Sequence, residues 1–300
     1  MMRRSRLLIA LLGAAVLVLG ACSSDDDGDG VGAGGGPEVL AISATDAGDG
    51  TGYGFGVADT VAAGTYEISL ANEGTEDHHG QLFKLNADKT FADLGAAAAG
   101  AEEGQEIPAL LAVGVFDGGT ATVAPGTSSS VNAVTELTEG TYVLMCFVEN
   151  SDGVAHVDAG MVQPFTVTAS EEPAEAVASD ASIDLVDFGF ELPDTVSTGS
   201  VLDVTNASEA EAHEINIISI DEGGSFEAFQ GLLSGEGEPP EGPPPFTSVG
   251  GVQALMPGAS QQISVDVPAG EYIFICFIPS AANEGAPHFT LGMVTQVTVT

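Results

Sequence analysis

Basic side chains are nearly missing from this 300-residue chain: five lysines and arginines stand against 44 aspartates and glutamates, a formal charge of −39. Arg3, Arg4 and Arg6 sit at the extreme N-terminus, and Lys84 and Lys89 are the only basic groups after them. With no basic patch to displace counterions from phosphates, nucleic-acid binding is excluded. Adsorption to anionic lipid is disfavoured for the same reason. The acidic surface reads either as a solvated coat suited to a saline habitat or as a field that attracts a basic protein partner. Paired carboxylates carry no information among so many acids. No Gly-rich phosphate loop stands between a strand and a helix, and no nucleophile and base lie at a recognisable spacing. Disorder throughout is excluded in turn, because hydrophobic residues make up 44% of the chain and recur in short alternating runs.

Cysteine and histidine are scarce as well, at three and five residues. Cys22 belongs to the N-terminus, where MMRRSRLLIALLGAAVLVLGAC has the arginines, apolar segment and small residues of a secretory signal. Leu19-Gly20-Ala21-Cys22 resembles the lipobox of bacterial lipoproteins, which implies a signal peptide over 1–21 and a lipid anchor on Cys22. The expected location is the extracytoplasmic face of the cell membrane, with the bilayer touched only through the lipidated N-terminus. The acidic, Gly-rich stretch that follows reads as a flexible tether over 22–40.

The rest of the chain repeats itself. Phe55–Gly64 matches Phe190–Gly199, Pro125-Gly126 matches Pro257-Gly258, and Gly140-Thr-Tyr142 matches Gly270-Glu-Tyr272. Cys146 matches Cys276. The offset stays between 130 and 135 residues, which marks a tandem duplication. The expected domains run over 41–168 and 181–300, separated by an Ala/Glu/Ser linker over 169–180. Alternation in TYEISLAN, SVLDVTN, EINIISI and VTQVTVT predicts strands, and the apolar runs YVLMCFV and YIFICFI predict central strands buried on both faces. Turn signals between them point to an all-β chain with one antiparallel β-sandwich per copy. Thr90–Ala99 and Ser225–Leu233 read as helices, and the Pro-rich Glu236–Pro245 as a surface loop.

With Cys22 set aside, each copy keeps one Cys, two His and one Met in the same order. Copy one offers His79, Cys146, His156 and Met161; copy two offers His213, Cys276, His288 and Met293. His78 competes with His79, but Asn72 precedes His79 by the same seven residues that separate Asn206 from His213. Each residue alone reads as core or loop filler. Together, two imidazoles, a thiolate and a thioether are the donor set of a type 1 copper site, in which soft sulfur suits Cu(I) and imidazole suits both redox states. A disulfide between Cys146 and Cys276 would have to join equivalent buried strand ends of separate domains, which geometry disfavours.

The pattern resembles that of the cupredoxins, the blue copper proteins. They share an Asn before the first His, a Tyr-containing strand ending in Cys, and a His-x4-Met run with Gly before the Met and Val after it. Asn72, Tyr142, Gly160 and Val162 complete the pattern in copy one, and Asn206, Tyr272, Gly292 and Val294 in copy two. The resemblance implies two tandem Greek-key β-sandwiches, up to two type 1 coppers per chain, and axial Met161 and Met293. Nine and eleven residues separate Cys from His here, more than in small cupredoxins such as plastocyanin but similar to the copper nitrite reductases.

The expected function is a membrane-tethered, extracytoplasmic electron carrier that serves a redox protein, a basic one if the acidic coat guides it. Copper storage or delivery, and a metal-free structural or interaction role, are the alternatives. Multicopper enzymes need further His ligands, and after four assignments one His remains; the expectation is therefore a protein that is not an enzyme.

Overall fold

The computed structural model describes residues 37–46, 52–102, 104–171, 174, 176–235 and 242–300. The expected signal peptide, the Cys22 anchor, the tether as far as residue 36 and residues 236–241 of the Pro-rich loop lie outside them. Among the described residues, no helix is long and apolar enough to cross a membrane.

The first copy contains β1 (Glu38–Thr45), β2 (Gly54–Gly56), β3 (Thr60–Ala62), β4 (Gly64–Asn72), β5 (His78–Leu85), β6 (Gly114–Val123), β7 (Val131–Leu137), β8 (Gly140–Met145) and β9 (Val162–Thr168). Helices α1 (Phe91–Gly100) and α2 (Glu106–Leu111) lie between β5 and β6. The second copy contains β10 (Ala181–Val186), β11 (Gly189–Glu191), β12 (Val201–Asn206), β13 (His213–Ile220), α3 (Phe226–Ser234), β14 (Phe246–Leu255), β15 (Ser260–Val265), β16 (Gly270–Ile275) and β17 (Val294–Val299).

The strands follow the alternation that predicts them. In β4, Tyr66, Ile68 and Leu70 point into the core while the residues between them are partly exposed. Strand β8 has a neighbour on each side, β5 and β9, and its last four residues are all buried. The two expected helices are present, and each has a local reason to start. Thr90 caps α1 by accepting the Asp93 N–H while the Asp93 carboxylate accepts the Thr90 N–H, a capping box. Ser225 caps α3 with its hydroxyl alone, accepting the Ala228 N–H.

Two layers of sheet pack face to face. One runs β2-β1-β4-β7-β15-β12-β10-β11 and the other β3-β9-β8-β5-β6-β14-β13-β16-β17, so both layers continue from one copy into the other. Leu40, Ile42, Ile68, Leu82, Leu144 and Phe165 fill the first sandwich, and Ile183, Val204, Ile215, Ile263 and Phe274 the second.

Two details differ from the sequence reading. Pairing is mixed, because β1 runs parallel to β4, β10 parallel to β12, and β3 parallel to β9. The fold also starts at Glu38, inside the tether expected over 22–40, because Glu38 pairs with Tyr66 and the Leu40 side chain is needed in the core.

The junction between copies has two-fold symmetry. Strand β6 pairs antiparallel with β14 through Val123–Val249, Thr120–Val252 and Asp117–Leu255. Strand β7 pairs antiparallel with β15 about Ala133–Ile263. Gly118-Gly119 in β6 and Gly250-Gly251 in β14 occupy equivalent places with positive φ throughout. A Cβ on Gly250 would come within 2.2 Å of the Val131 carbonyl across the junction, so only glycine fits there.

Candidate metal centres

Each copy builds its centre at one end of the sandwich from three pieces of chain. In copy one, His78 opens β5, Cys146 follows the last residue of β8, and His156 lies in the connection to β9. His78 Nδ1 and His156 Nδ1 are 3.0 Å apart, and Cys146 Sγ is 3.9 Å from the former and 3.4 Å from the latter. In copy two, His213 Nδ1 and His288 Nδ1 are 3.1 Å apart, and Cys276 Sγ is 3.4 Å from His288 Nδ1. The imidazole planes meet at 57° in one copy and 54° in the other. All six donor residues are fully buried.

The long Cys-to-His connections are held by the same backbone bonds in both copies. The His156 N–H donates to Val148, the Val157 N–H to Cys146 and the Met161 N–H to His156, at 2.7–2.8 Å. The His288 N–H donates to Ile278, the Phe289 N–H to Cys276 and the Met293 N–H to His288, at 2.9–3.0 Å. Insertions of nine or eleven residues are thereby closed onto one local geometry. Met161 and Met293 are fully buried in the same cores as Cys146 and Cys276, and each accepts that cysteine's N–H through its carbonyl.

The expected ligand His79 is replaced by His78. The His79 ring turns away from the group, and its Nε2 accepts the Phe147 N–H at 2.8 Å. What His79 offers the cysteine is its own backbone N–H, 3.5 Å from Sγ. Pairing explains the shift by one residue. Gln81 faces Met145 in copy one and Asn216 faces Ile275 in copy two, which puts His78 level with His213 and His79 level with Glu214. Glu214 makes the equivalent contact, accepting the Phe277 N–H at 2.9 Å. Equal Asn–His spacing misleads because the turn after Asn206 is one residue longer than the turn after Asn72.

Carboxylates that the sequence reading did not single out stand behind the imidazoles. Glu76 accepts from His156 Nε2 at 3.0 Å, and Glu211 from His288 Nε2 at 2.7 Å. Asp46 Oδ2 lies 3.5 Å from His78 Nε2, and Asp187 Oδ1 3.9 Å from His213 Nε2. The readable signal was Glu-x-His, present as Glu76-Asp77-His78 and Glu211-Ala212-His213.

Burial governs the protonation of the metal-free group. It pushes the Cys146 thiol up to about 12 and the Cys276 thiol well above its usual value. Burial, with the neighbouring imidazole second, lowers His78 and His213 to about 4 each. Burial likewise raises the Glu214 carboxyl to about 7. The thiols are therefore protonated and the first imidazoles neutral at neutral pH.

The residues fit a soft metal ion. With Nε2 of His156 and of His288 donating to a carboxylate, the neutral form of each ring leaves Nδ1 as its acceptor atom, facing the thiol and the other imidazole. Separations of 3.0–3.9 Å are those of donors each roughly 2 Å from a common centre. Two imidazoles and a cysteine with a methionine close by suit copper.

No protein-family model and no curated protein matches the chain in sequence. Among solved structures it is similar to dithionite-reduced auracyanin from Roseiflexus castenholzii, at 21% identity over 42% of this chain and 99% of that one, TM-score 0.29. A multicopper oxidase matches at 14% identity over 87% of this chain and 88% of the other, TM-score 0.25. The copper nitrite reductase of Nitrosomonas europaea matches at 10% identity over 87% and 93%, TM-score 0.25. These two correct one expectation: both span most of this chain and both are named as enzymes, so the reading of the chain as a non-enzyme is withdrawn. The chain itself is a tandem pair of β-sandwich copies, each with one buried His–Cys–His group at one end.

Proposed function

We propose that each copy would hold one copper ion of the type 1 kind, on His78, Cys146 and His156 with Met161 in one and on His213, Cys276 and His288 with Met293 in the other, and that the chain transfers electrons. The observation that carries this reading is the convergence of two imidazole Nδ1 atoms and a cysteine sulfur in a buried group, twice over. Bound copper would supply a one-electron couple. The chain holds the donors at fixed separations before metal arrives, which limits the rearrangement that accompanies a change of charge. Burial keeps water from the sulfur. The Cys146 and Cys276 thiols give up their protons as metal enters, because only a thiolate binds it.

The N-terminal lipobox supports attachment of the carrier to the extracytoplasmic face of the cell membrane through Cys22. The charge of −39 supports a basic redox protein as partner. Protein loaded with Cu(II) is expected to turn intensely blue, with a narrow-hyperfine signal in electron paramagnetic resonance and a reversible midpoint potential. Tight Cu(I) binding with no stable Cu(II) form would replace the carrier reading with storage. A colourless sample in which both buried cysteines titrate as free thiols would end the copper reading altogether.

A further inference from the structure

The long Cys-to-His connections pose a problem of order, because the second imidazole of each centre hangs on a segment of nine or eleven residues beyond the cysteine. Loops of that length are ordinarily mobile unless something outside them ties them down. In both copies a carboxylate on a different piece of chain adds such a tie to the connection's own backbone bonds.

Glu211 lies in the turn after β12, two residues before His213. Its Oε2 takes His288 Nε2 at 2.7 Å, while its Oε1 takes the Ser280 hydroxyl at 2.9 Å and the Ala282 N–H at 3.1 Å. One side chain thus grips the Cys276–His288 connection at its start, its middle and its imidazole. Its backbone carbonyl is held in turn by Asn206 Nδ2 and the Ser208 hydroxyl. Glu76 has the same place in copy one. It takes His156 Nε2 at 3.0 Å and the Tyr53 hydroxyl at 2.7 Å, and its carbonyl accepts from Asn72 Nδ2. The Tyr53 ring lies over His156 at 4.5 Å between centroids, and the same tyrosine's hydroxyl is within 3.4 Å of Asn150 Nδ2 in the connection. Different helpers, Ser280 in one copy and Tyr53 with Asn150 in the other, converge on the same acid.

We infer that Glu76 and Glu211 are positioning residues for the metal: each fixes its imidazole with the proton on Nε2 and Nδ1 free, and each adds a side-chain tie to a long connection beyond the backbone bonds within it. A charged acceptor on Nε2 also makes the imidazole a stronger donor, which favours the more highly charged metal state. The pairs therefore bias each centre toward Cu(II) over Cu(I). This second part rests on the copper reading above; the first does not.

The test uses the full chain with Glu211→Ala and Glu211→Gln, the matching substitutions at Glu76, and Glu139→Gln on the exposed surface as a control for lost charge. In the metal-free protein, Glu211→Ala is expected to speed amide hydrogen exchange of residues 277–288 at least about tenfold without changing β13 or β16, while Glu211→Gln, which keeps an acceptor, stays near wild type. In copper titrations against competing chelators, both substitutions are expected to lower Cu(II) affinity about 10–100-fold and Cu(I) affinity less. The pinning role is overturned if exchange in the Ala variants matches wild type. The bias toward Cu(II) is overturned if the Cu(II)/Cu(I) affinity ratio is unchanged or moves equally in Glu139→Gln. A wild-type chain that takes no copper would remove the proposed function and the bias together, and the exchange experiment would still decide the pinning.

Discussion

His78 Nδ1 lies 3.0 Å from His156 Nδ1, while the adjacent His79 spends its Nε2 on the Phe147 N–H. Two neighbouring histidines, both buried, thus do different work: one closes the donor group and the other braces the segment after the cysteine. His78→Ala is expected to halve the copper-dependent absorption of the chain and leave the second centre intact. His79→Gln, which keeps an acceptor for Phe147, is expected to retain both bands with a shift in one. The reverse pattern in metal content and absorption would restore His79 as the ligand.

Copper uptake should release about one proton per centre from the cysteine at neutral pH, because burial keeps both thiols protonated there. The apparent affinity then climbs about tenfold per pH unit across the neutral range, since each metal ion competes with one proton. Calorimetry in buffers of different ionisation enthalpy measures the proton count directly. Uptake without proton release would mean that the thiols are not ligands.

Glu214 gives the metal-free protein a pH dependence of opposite sign. Its carboxyl sits at about 7 when folded, against an ordinary 4.5, so the folded state holds a proton that the unfolded state has lost. The stability it contributes is complete below about pH 4.5 and is lost as pH rises through 7, by on the order of 3 kcal/mol. Glu214→Gln should therefore raise the stability of the metal-free chain at pH 8 relative to wild type and change it little at pH 4.5. Denaturant unfolding at the two pH values provides the comparison, and equal effects at both would contradict the assignment.

Acidification acts on the imidazoles instead. His78 and His213 are held down to about 4 by burial, so between about pH 6.5 and 4 the unfolded chain takes up protons that the folded chain refuses. Stability is present above pH 6.5 and drains away below it. Replacing His78 and His213 together by Gln should flatten this acid limb in thermal unfolding of the metal-free protein. An unchanged slope would place the acid sensitivity elsewhere.

The junction predicts its own sensitivity. Gly250 has φ of 113°, and a Cβ there would meet the Val131 carbonyl at 2.2 Å. Gly250→Ala is expected to cost about 3 kcal/mol, part strain and part separation of β14 from β7. A melting temperature equal to wild type would show that the junction yields at little cost.

Much of this was readable in the residues. The duplication, the alternating strands, both capped helices and the placement of Cys146, His156, Cys276 and His288 follow from local pattern and order. The choice between His78 and His79 does not. Both are buried at the start of β5, so burial cannot separate them, and equivalence between the copies is fixed by pairings to β8 and β16 that link residues more than fifty positions apart. Glu76 and Glu211 were hidden by their own abundance, two acids among 44. The parallel pairing of β1 with β4 was out of reach for another reason, since alternation reports which face a residue takes and not the direction of its neighbour.

The symmetric junction also says something about descent. Thr120 faces Val252 and Ala133 faces Ile263, and in each pair the two residues are counterparts of one another in the repeat. A surface that meets its own copy about a two-fold axis is an isologous contact, the kind by which identical subunits form closed dimers. A single-copy ancestor needed no new surface to reach the present arrangement; joining two genes head to tail would make a reversible association permanent. After fusion the two halves no longer had to remain alike, and the paired positions held by His79 and Glu214, or by Tyr53 and Phe188, became free to diverge. The chain is in this sense a homodimer that has acquired the right to be asymmetric.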